Sequence, residues 1–283
     1  MKNTLNQKLH SISFIFVAFS LLLISCQNTE INSGKFDLEK LNQIDNLINT
    51  SIDLNSLPGA VVLVAKNNKI VYKKAFGIKN PTTGEKYKTD DIFRIASMTK
   101  AITSLGVMKL WEKGLFGLDD PIEKYIPEFK GVGVLDKFNP LDSTFTIKPT
   151  QKKISIRNLL THTSGLGYGF IDGNPSIKAI FHKAKKNFMP NGVLGFSDSD
   201  VSIEKAIKEM AKMPLHHEPG ERFTYAIGID VLGYLIEIIS GESLADFFQN
   251  EIFNPLEMND TFFYLPEDKK DRLVPVLYKN ENE

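Results

Sequence analysis

A serine and a lysine three residues apart are the first candidates for chemistry in this sequence. They are Ser97 and Lys100 of the run Ser97-Met98-Thr99-Lys100, at the start of a predicted helix. Residues three apart share one helix face, with Cβ atoms about 5–6 Å apart, so the lysine amine can reach the serine hydroxyl. The helix dipole favours an anionic oxygen at this end. A lysine that loses its charge in apolar surroundings can accept the serine proton. The pair therefore indicates a nucleophile and its base.

The spacing by itself does not single out this pair. Ser202 and Lys205 repeat it in the run Ser202-Ile203-Glu204-Lys205, just before another predicted helix. A serine in that position is typical of a helix N-cap, whose hydroxyl accepts a hydrogen bond from a backbone N–H group. Nucleophile and cap are both open interpretations of the pattern, and for Ser202 we predict a cap.

The blocks around the first pair resemble one known family. Residues 93–103 and 159–166 closely resemble the penicillin-binding, class C β-lactamase-like serine hydrolases, in their esterase-like branch. The resemblance runs in order from about residue 40 to the end of the chain. Further blocks that carry it are residues 118–121, 125–127, 219–225, 230–233 and 253–261.

This resemblance implies roles for three residues. Ser97 is expected to be the acylated nucleophile, Lys100 its partner base, and Tyr225 the tyrosine that relays the proton to the leaving group. A tyrosine with a pKa near 10 is a poor base at neutral pH unless a neighbouring ammonium group, here Lys100, stabilises its phenolate. The alternative for Tyr225 is a buried core tyrosine. The expected substrate is a small ester or amide, with β-lactams and peptidoglycan-derived peptides as alternatives. No cofactor is expected.

The sequence departs from the family pattern in two places. Ile227 stands where β-lactamases and many peptidases carry asparagine, and its apolar side chain cannot donate to an amide carbonyl, which favours the esterase-like branch. No Lys-Thr-Gly, Lys-Ser-Gly or His-x-Gly motif follows Tyr225. We therefore expect the chain to lack C-terminal strands, on the order of a hundred residues, and to be inactive by itself. The rival hypothesis is a catalytically inactive envelope-binding protein of the same fold.

The elements that must position these residues are mostly helical. A hairpin is predicted for residues 60–65 and 70–76, joined by a turn at Asn67-Asn68. The expected fold class is α+β: a β-lactamase/transpeptidase-like antiparallel sheet flanked by helices, with a helical region, here missing the C-terminal strands. Helices are predicted for residues 37–52, 97–113, 156–161, 176–187, 202–212, 226–239 and 243–250, with a short one after Pro121. Further strands are predicted only for residues 262–265 and 273–278.

The N-terminus has the pattern of a lipoprotein leader. Lys2 and Lys8 precede an apolar run over residues 12–24, and Cys26 follows directly after Ser25. That run is short for a membrane span and typical of a signal peptide, and its end resembles a bacterial lipobox. Acylation of Cys26 would anchor the protein stably. An ordinary signal peptide with a chance cysteine is the alternative.

These observations predict the organisation of the chain. Residues 1–25 are expected to be a lipoprotein signal peptide and residues 26–35 a flexible tether. Residues 36–283 are expected to form the hydrolase domain, incomplete at its C-terminus. The expected location is the cell envelope, on the periplasmic side of an outer membrane.

Composition excludes several other functions. Lys+Arg and Asp+Glu are both 34, so the formal net charge is zero, which argues against a nucleic-acid partner. The single cysteine excludes a disulfide framework and any cysteine-based metal site. No metal is expected at His216 and His217, which we predict to be surface residues, since no third ligand has a recognisable spacing.

Three remaining features have structural interpretations. His162 is predicted to serve in turn hydrogen bonding rather than in catalysis. Gly165, Gly167 and Gly169 alternate, but no apolar strand precedes them, so a dinucleotide loop is not predicted. Lys183, Lys185 and Lys186 are predicted to form a solvated helix face.

Overall fold

The computed structural model of the protein describes residues 38–188 and 201–278. They form two units, one of residues up to 93 together with residues from 271 onward, and one of residues 94–270. The predicted signal peptide, the tether and Cys26 lie outside the described residues. Within the described ranges, no helix has the length and apolar character needed to cross a membrane.

The first unit contains the predicted hairpin. Helix α1 (Leu38–Asp53) precedes strands β1 (Gly59–Lys66), β2 (Lys69–Asn80) and the short β3 (Glu85–Lys86), which pair antiparallel in that order. Asn67 and Asn68 both have positive φ angles, 50° and 58°, which a two-residue hairpin turn requires and asparagine tolerates. The local sequence therefore predicted this turn correctly, although β2 is longer than expected.

Buried charges connect strand β2 to the later part of the same unit. The side chain of Lys79 is 3% exposed and forms ion pairs with Asp91 at 3.1 Å and Glu85 at 2.8 Å. It also donates to the carbonyl oxygen of Asp271 at 3.2 Å. Nearby, Leu273 forms a single parallel bridge with Ile92. The predicted strand over residues 273–278 was wrong, because its pairing is limited to that one bridge.

The second unit is mainly helical. A 3₁₀ turn at Ala96–Met98 leads directly into helix α2 (Thr99–Glu112), and Gly114 follows with a φ of +72° that favours glycine after a helix. The later helices are α3 (Ile156–Leu160), α4 (Pro175–Phe188), α5 (Ile203–Met210), α6 (Gly228–Ser240) and α7 (Leu244–Phe248), with 3₁₀ turns at Ile122–Lys124, Pro127–Phe129 and Glu267–Arg272 and a π-helical turn at Gln249–Phe253. These bounds confirm the predicted helices to within a few residues.

The second unit also holds a hairpin that the sequence analysis missed. Strands β4 (Gly133–Phe138) and β5 (Phe145–Pro149) pair antiparallel, and Leu215 exchanges backbone hydrogen bonds with Gly133 and Leu135 of β4. The two strands are short and carry charged residues, so their periodicity is weak, and contacts with distant residues select the conformation. The predicted strand over residues 262–265 was wrong, since Phe263 and Tyr264 form a bend and their two neighbours have no regular structure.

Helix α6 is the centre of the core of this unit. Helices α2, α3, α5 and α7 all pack against it. Gly106 of α2 allows the close approach, because a Cβ atom there would lie 3.1–3.2 Å from Ile236, Phe247 and Phe248. The architecture confirms the predicted α+β class, with small antiparallel sheets and a helical core. The largest fully buried side chains of the second unit include Phe129, Ile156, Leu159, Ile207, Met210, Phe247 and Phe248.

Candidate active site

Three predicted site residues meet in the second unit. Lys100 Nζ donates to Ser97 Oγ at 3.2 Å, and the hydroxyl oxygens of Ser97 and Tyr225 are 3.0 Å apart. Tyr225 lies 128 residues after Ser97 in the chain. The fold therefore places a hydroxyl group, an ammonium group and a phenol in one hydrogen-bonded cluster.

The backbone at Ser97 is unusual. Ser97 lies in the 3₁₀ turn before α2 and is exposed, and Ala96 directly before it has a φ of +43°. For a residue with a side chain, such a conformation costs roughly 1–3 kcal/mol and often occurs at functional sites. Helix α2 begins at Thr99, so Lys100 lies in its first turn. Ser97 was predicted to be the first residue of this helix, but it lies in the 3₁₀ turn that precedes it.

Tyr225 is held by the segment around His162. The backbone N–H of Ala226 donates to His162 Nδ1 at 3.3 Å, and that of Thr224 donates to the His162 carbonyl oxygen at 2.8 Å. Since His162 Nδ1 accepts, the neutral ring carries its proton on Nε2. The imidazole lies 4.9 Å from the Tyr225 ring. The backbone N–H of His162 does take part in turn hydrogen bonding, as predicted, since it donates to the carbonyl oxygen of Leu159 at 3.4 Å. The bonds to the distant Tyr225 segment and the ring contact with Tyr225 were missed.

Burial keeps His162 neutral. Burial and, to a lesser degree, the charge of Lys100 lower the pKa of His162 below its ordinary value. An imidazole whose pKa lies below its ordinary value of about 6.5 is uncharged at neutral pH, so His162 adds no second cation beside Lys100.

The electrostatics of the cluster make Lys100 the cation and Tyr225 the acidified phenol. Hydrogen bonds from Lys100 and Ser97 lower the pKa of Tyr225, and the charge of Lys100 lowers it further. Burial lowers the pKa of Lys100, but the hydrogen bond to Tyr225 and charges on Tyr168, Tyr225 and Asp230 outweigh it and raise this pKa overall. Of the two interpretations of Lys100, a neutral base and a cation that stabilises the Tyr225 phenolate, the direction of this pKa favours the cation.

Two aromatic rings lie close to the Lys100 ammonium group, and the charge of a carboxylate acts on it. Its Nζ lies 5.1 Å from the centroid of Tyr225 and 5.6 Å from that of Tyr168, within the range of cation–π attraction. Asp230 lies in the first turn of α6, and its charge raises the pKa of Lys100. Desolvation in turn raises the pKa of Asp230. Sequence reasoning missed both Tyr168 and Asp230 as neighbours of Lys100, since neither has a fixed spacing from that residue.

His217 is buried and the side chain of His216 is only 9% exposed, so the prediction of surface histidines was wrong. His216 Nε2 lies 3.0 Å from the buried carboxylate of Asp172. His217 Nε2 lies 2.8 Å from Thr224 Oγ1, and its Nδ1 is 2.8 Å from the carbonyl oxygen of Glu218. Both rings therefore have structural partners. Among the residues that the structure describes, no cluster of potential ligands could hold a metal ion.

The other predicted features have structural roles. Ser202 caps α5, and its Oγ accepts from the backbone N–H of Lys205 at 3.3 Å, as predicted. Lys183 is exposed on α4 and donates to the carbonyl oxygen of Asp142, while Lys185 is half-buried, so the solvated face is narrower than expected. The side chain of Lys186 lies outside the described part.

The chain as a whole matches a known family. Residues 44–283 match the model of the family described as Beta-lactamase. The chain belongs to the beta-lactamase family. It is 35% identical to protein Rv1367c of Mycobacterium tuberculosis strain H37Rv, over 82% of this chain and 54% of that protein. It is 31% identical to esterase EstB of Burkholderia gladioli, over 81% of this chain and 53% of that protein.

Solved structures of this family share the fold. The structure of EstCE1, described as a hydrolase with promiscuous acyltransferase activity, superposes with a TM-score of 0.68 at 26% identity. The superposition covers 83% of this chain and 55% of EstCE1. This chain thus spans about half the length of the curated relatives that it matches.

Proposed function

We propose that this protein is a serine hydrolase that cleaves small carboxylic esters through an acyl-enzyme on Ser97. The observation that carries the proposal is the position of Ser97 Oγ, within hydrogen-bond distance of both Tyr225 OH and Lys100 Nζ. A hydroxyl group held between an acidified phenol and a cation can lose its proton as it attacks a carbonyl carbon. Because the chain spans about half of its relatives, the activity is proposed for the whole protein.

In the proposed reaction, Tyr225 acts as the base in its phenolate form. The Ser97 proton moves to Tyr225 as Oγ bonds to the ester carbonyl carbon. When the tetrahedral intermediate collapses, the carbon–oxygen bond to the alcohol breaks and Tyr225 returns the proton to the leaving alcohol. Water then attacks the acyl carbon and gives a proton to Tyr225. The bond from that carbon to Ser97 Oγ breaks, Tyr225 returns the proton to Oγ, and the carboxylic acid leaves. Lys100 stays cationic and stabilises the phenolate throughout.

The surroundings of Ile227 support an ester over an amide substrate. Ile227 is 5% exposed and belongs to the core beside α6, so its side chain offers no hydrogen-bond donor to an amide carbonyl of a substrate. The names of esterase EstB and the hydrolase EstCE1 support the same choice. β-Lactams and peptidoglycan-derived peptides are the alternative substrates.

Three substrates and two serine variants test the proposal. Wild-type protein is assayed on nitrophenyl acetate, on nitrocefin and on a D-Ala-D-Ala peptide. We expect turnover of the acetate ester, abolished in Ser97→Ala and unchanged in Ser202→Ala, which removes the hydroxyl of the other Ser-x-x-Lys pair. Equal turnover by wild type and Ser97→Ala would remove Ser97 from the mechanism. Preferential turnover of nitrocefin or the peptide would overturn the choice of esters.

A serine-reactive phosphonate separates an enzyme from an inactive scaffold. The reagent should label wild type stoichiometrically on Ser97 and leave Ser97→Ala unlabelled, as read by mass spectrometry of peptides. A folded whole protein that takes up no label would support the inactive envelope-binding alternative.

We also propose that the protein is held in the cell envelope by lipid on Cys26. The apolar run over residues 12–24 and the small residue before Cys26 support this, and two acyl chains suffice for stable anchoring. Metabolic labelling with an alkynyl fatty acid should tag wild type and not Cys26→Ala. An untagged wild type would reduce the segment to an ordinary signal peptide.

A further inference from the structure

Five aromatic rings form an unbroken row through the candidate active site. We name Phe223, His162, Tyr225, Tyr168 and Phe170, in that spatial order, the aromatic row. Successive ring centroids are 5.7, 4.9, 5.6 and 5.2 Å apart. Tyr168 and Tyr225 stack with an interplanar angle of 7°, and both ends of the row make edge contacts. The ring of Tyr225, whose hydroxyl we propose as the base, is thus the middle ring of the row.

The ends of the row are open to solvent. Phe223 is 65% exposed and Phe170 is 46% exposed, whereas the histidine and Tyr168 between them are half-buried. Next to these positions in the chain, Ile171 is 48% exposed, and Met98 beside the nucleophile is 71% exposed. Single exposed apolar residues are common, but a contiguous aromatic patch that passes through a reactive site is typical of a ligand-binding surface.

The end of the row at Phe170 is held in place by a buried carboxylate. Asp172, whose side chain is 2% exposed, accepts hydrogen bonds from the backbone N–H groups of Tyr168 and Gly169 at 3.0 and 2.5 Å. Its other oxygen lies 3.0 Å from His216 Nε2. Gly169 has a φ of +91°, and a Cβ atom there would lie 3.1 Å from the ring of Phe181. The loop is therefore anchored from inside, and an exposed ring on an anchored loop is preorganised for binding.

Apart from the hydroxyl of Tyr225, which Lys100 balances when it ionises, the row carries no formal charge at neutral pH. His162 is neutral because burial lowers its pKa, and the other four members are aromatic hydrocarbons or phenols. The cation of Lys100 lies against the faces of Tyr168 and Tyr225. A hydrophobic group that approaches Ser97 can thus rest on rings along the row without burying an unpaired charge.

We propose that the aromatic row is the binding wall for a hydrophobic acyl chain and makes the enzyme selective for esters of medium-chain fatty acids. The inference rests on the proposed esterase function and adds its substrate class. The carbonyl carbon is placed at Ser97 Oγ, next to Tyr225, and the alkyl chain lies against the rings toward Phe170 or Phe223. Short acyl groups such as acetate reach Ser97 without contact with either end.

A chain-length series tests this selectivity. Nitrophenyl acetate and nitrophenyl hexanoate are compared in wild type, in the double variant Phe170→Ala/Phe223→Ala and in Tyr264→Ala, which removes an 88% exposed tyrosine outside the row. We expect wild type to prefer hexanoate in kcat/KM by about tenfold or more, since each methylene removed fully from water contributes up to about fourfold. The preference should fall below about threefold in the double variant, whereas Tyr264→Ala should keep both the preference and the acetate turnover of wild type.

A leucine variant serves as the matched control, and the acetate rates test the esterase proposal separately from the chain-length preference. The double variant Phe170→Leu/Phe223→Leu keeps apolar surface and should retain most of the preference for hexanoate. A double alanine variant that melts like wild type and still prefers hexanoate would overturn the assignment of the row, while turnover of acetate would leave the esterase proposal standing. Absence of acetate turnover in wild type would instead count against the esterase proposal itself.

Discussion

The sequence repeats one pattern, serine and lysine three residues apart, in two regions with different structures. At Ser97, the side chain of Lys100 donates to the hydroxyl oxygen at 3.2 Å. At Ser202, the backbone N–H of Lys205 donates to the hydroxyl oxygen at 3.3 Å, while the lysine side chain is exposed. The same two residue types thus form a candidate catalytic pair in one place and a helix cap in the other.

The backbone before each helix decides which arrangement forms. Ser202 has φ −64° and ψ 153°, the extended conformation that turns an N-cap hydroxyl toward the free N–H groups of the first turn. Ser97 instead lies inside a 3₁₀ turn that continues into α2, after the strained Ala96. Its hydroxyl is therefore directed to side chains, where Lys100 and Tyr225 meet it. A cap hydroxyl is already committed to the backbone, whereas a hydroxyl with only side-chain partners can react.

The largest expected difference between the two regions is in the lysines. Lys100→Met should lower kcat/KM on nitrophenyl acetate by about 10³-fold, because it removes the cation that stabilises the Tyr225 phenolate and donates to Ser97. Lys205→Met should leave the rate within about twofold, since its side chain is not used in the cap. Similar losses in both variants would break the comparison, and melting curves would show whether either change unfolds the protein.

The pH dependence of the reaction tests the roles of Lys100 and Tyr225 beside Ser97. The lowered pKa of Tyr225 means that its basic form is reached at a lower pH than in a free phenol, whose pKa is about 10. We expect kcat/KM to rise about tenfold per pH unit and level off below pH 10. The raised pKa of Lys100 keeps its charge across this range, so the rate falls only at higher pH.

Two variants of Lys100 distinguish Tyr225 from His162 as the base. Lys100→Arg keeps a cation, so the midpoint of its profile of kcat/KM against pH should stay below the pKa of a free phenol. Lys100→Met loses the cation, so the midpoint of its residual activity should move to higher pH. The pKa of His162 is lowered, so its titration lies in the acid range. A wild-type profile whose only midpoint lies below pH 6.5, about the ordinary histidine value, would contradict Tyr225 as the base.

The smallest expected effect is a loss of folding stability when the helix cap at Ser202 is removed. Ser202→Ala removes the cap of α5 and should lower the free energy of unfolding by about 1 kcal/mol, as measured by denaturant titration. Ser202→Asp keeps an accepting oxygen and should restore most of it. A loss in Ser202→Ala that Ser202→Asp does not restore would show that the hydroxyl serves something other than the cap.

Local sequence determined the features that depend on neighbours within a few residues. The Asn67-Asn68 turn, the cap at Ser202 and the proximity of Ser97 to Lys100 all follow from the geometry of one turn of chain. The ordered motifs also identified the family, which the match over residues 44–283 confirms. They named Tyr225 as the third member of the cluster by resemblance, whereas no local rule connects it to Ser97.

The tertiary structure decided the features that depend on distant packing. Hairpin β4–β5 forms where Leu215 pairs with β4, and the His216 ring is largely withdrawn from solvent where it meets the buried carboxylate of Asp172. The aromatic row joins three separate segments of the chain, so no single stretch of sequence predicts it. Even the charge of Lys100 is set by groups brought together in folding, because desolvation and Coulomb attraction act through distance in space rather than along the chain.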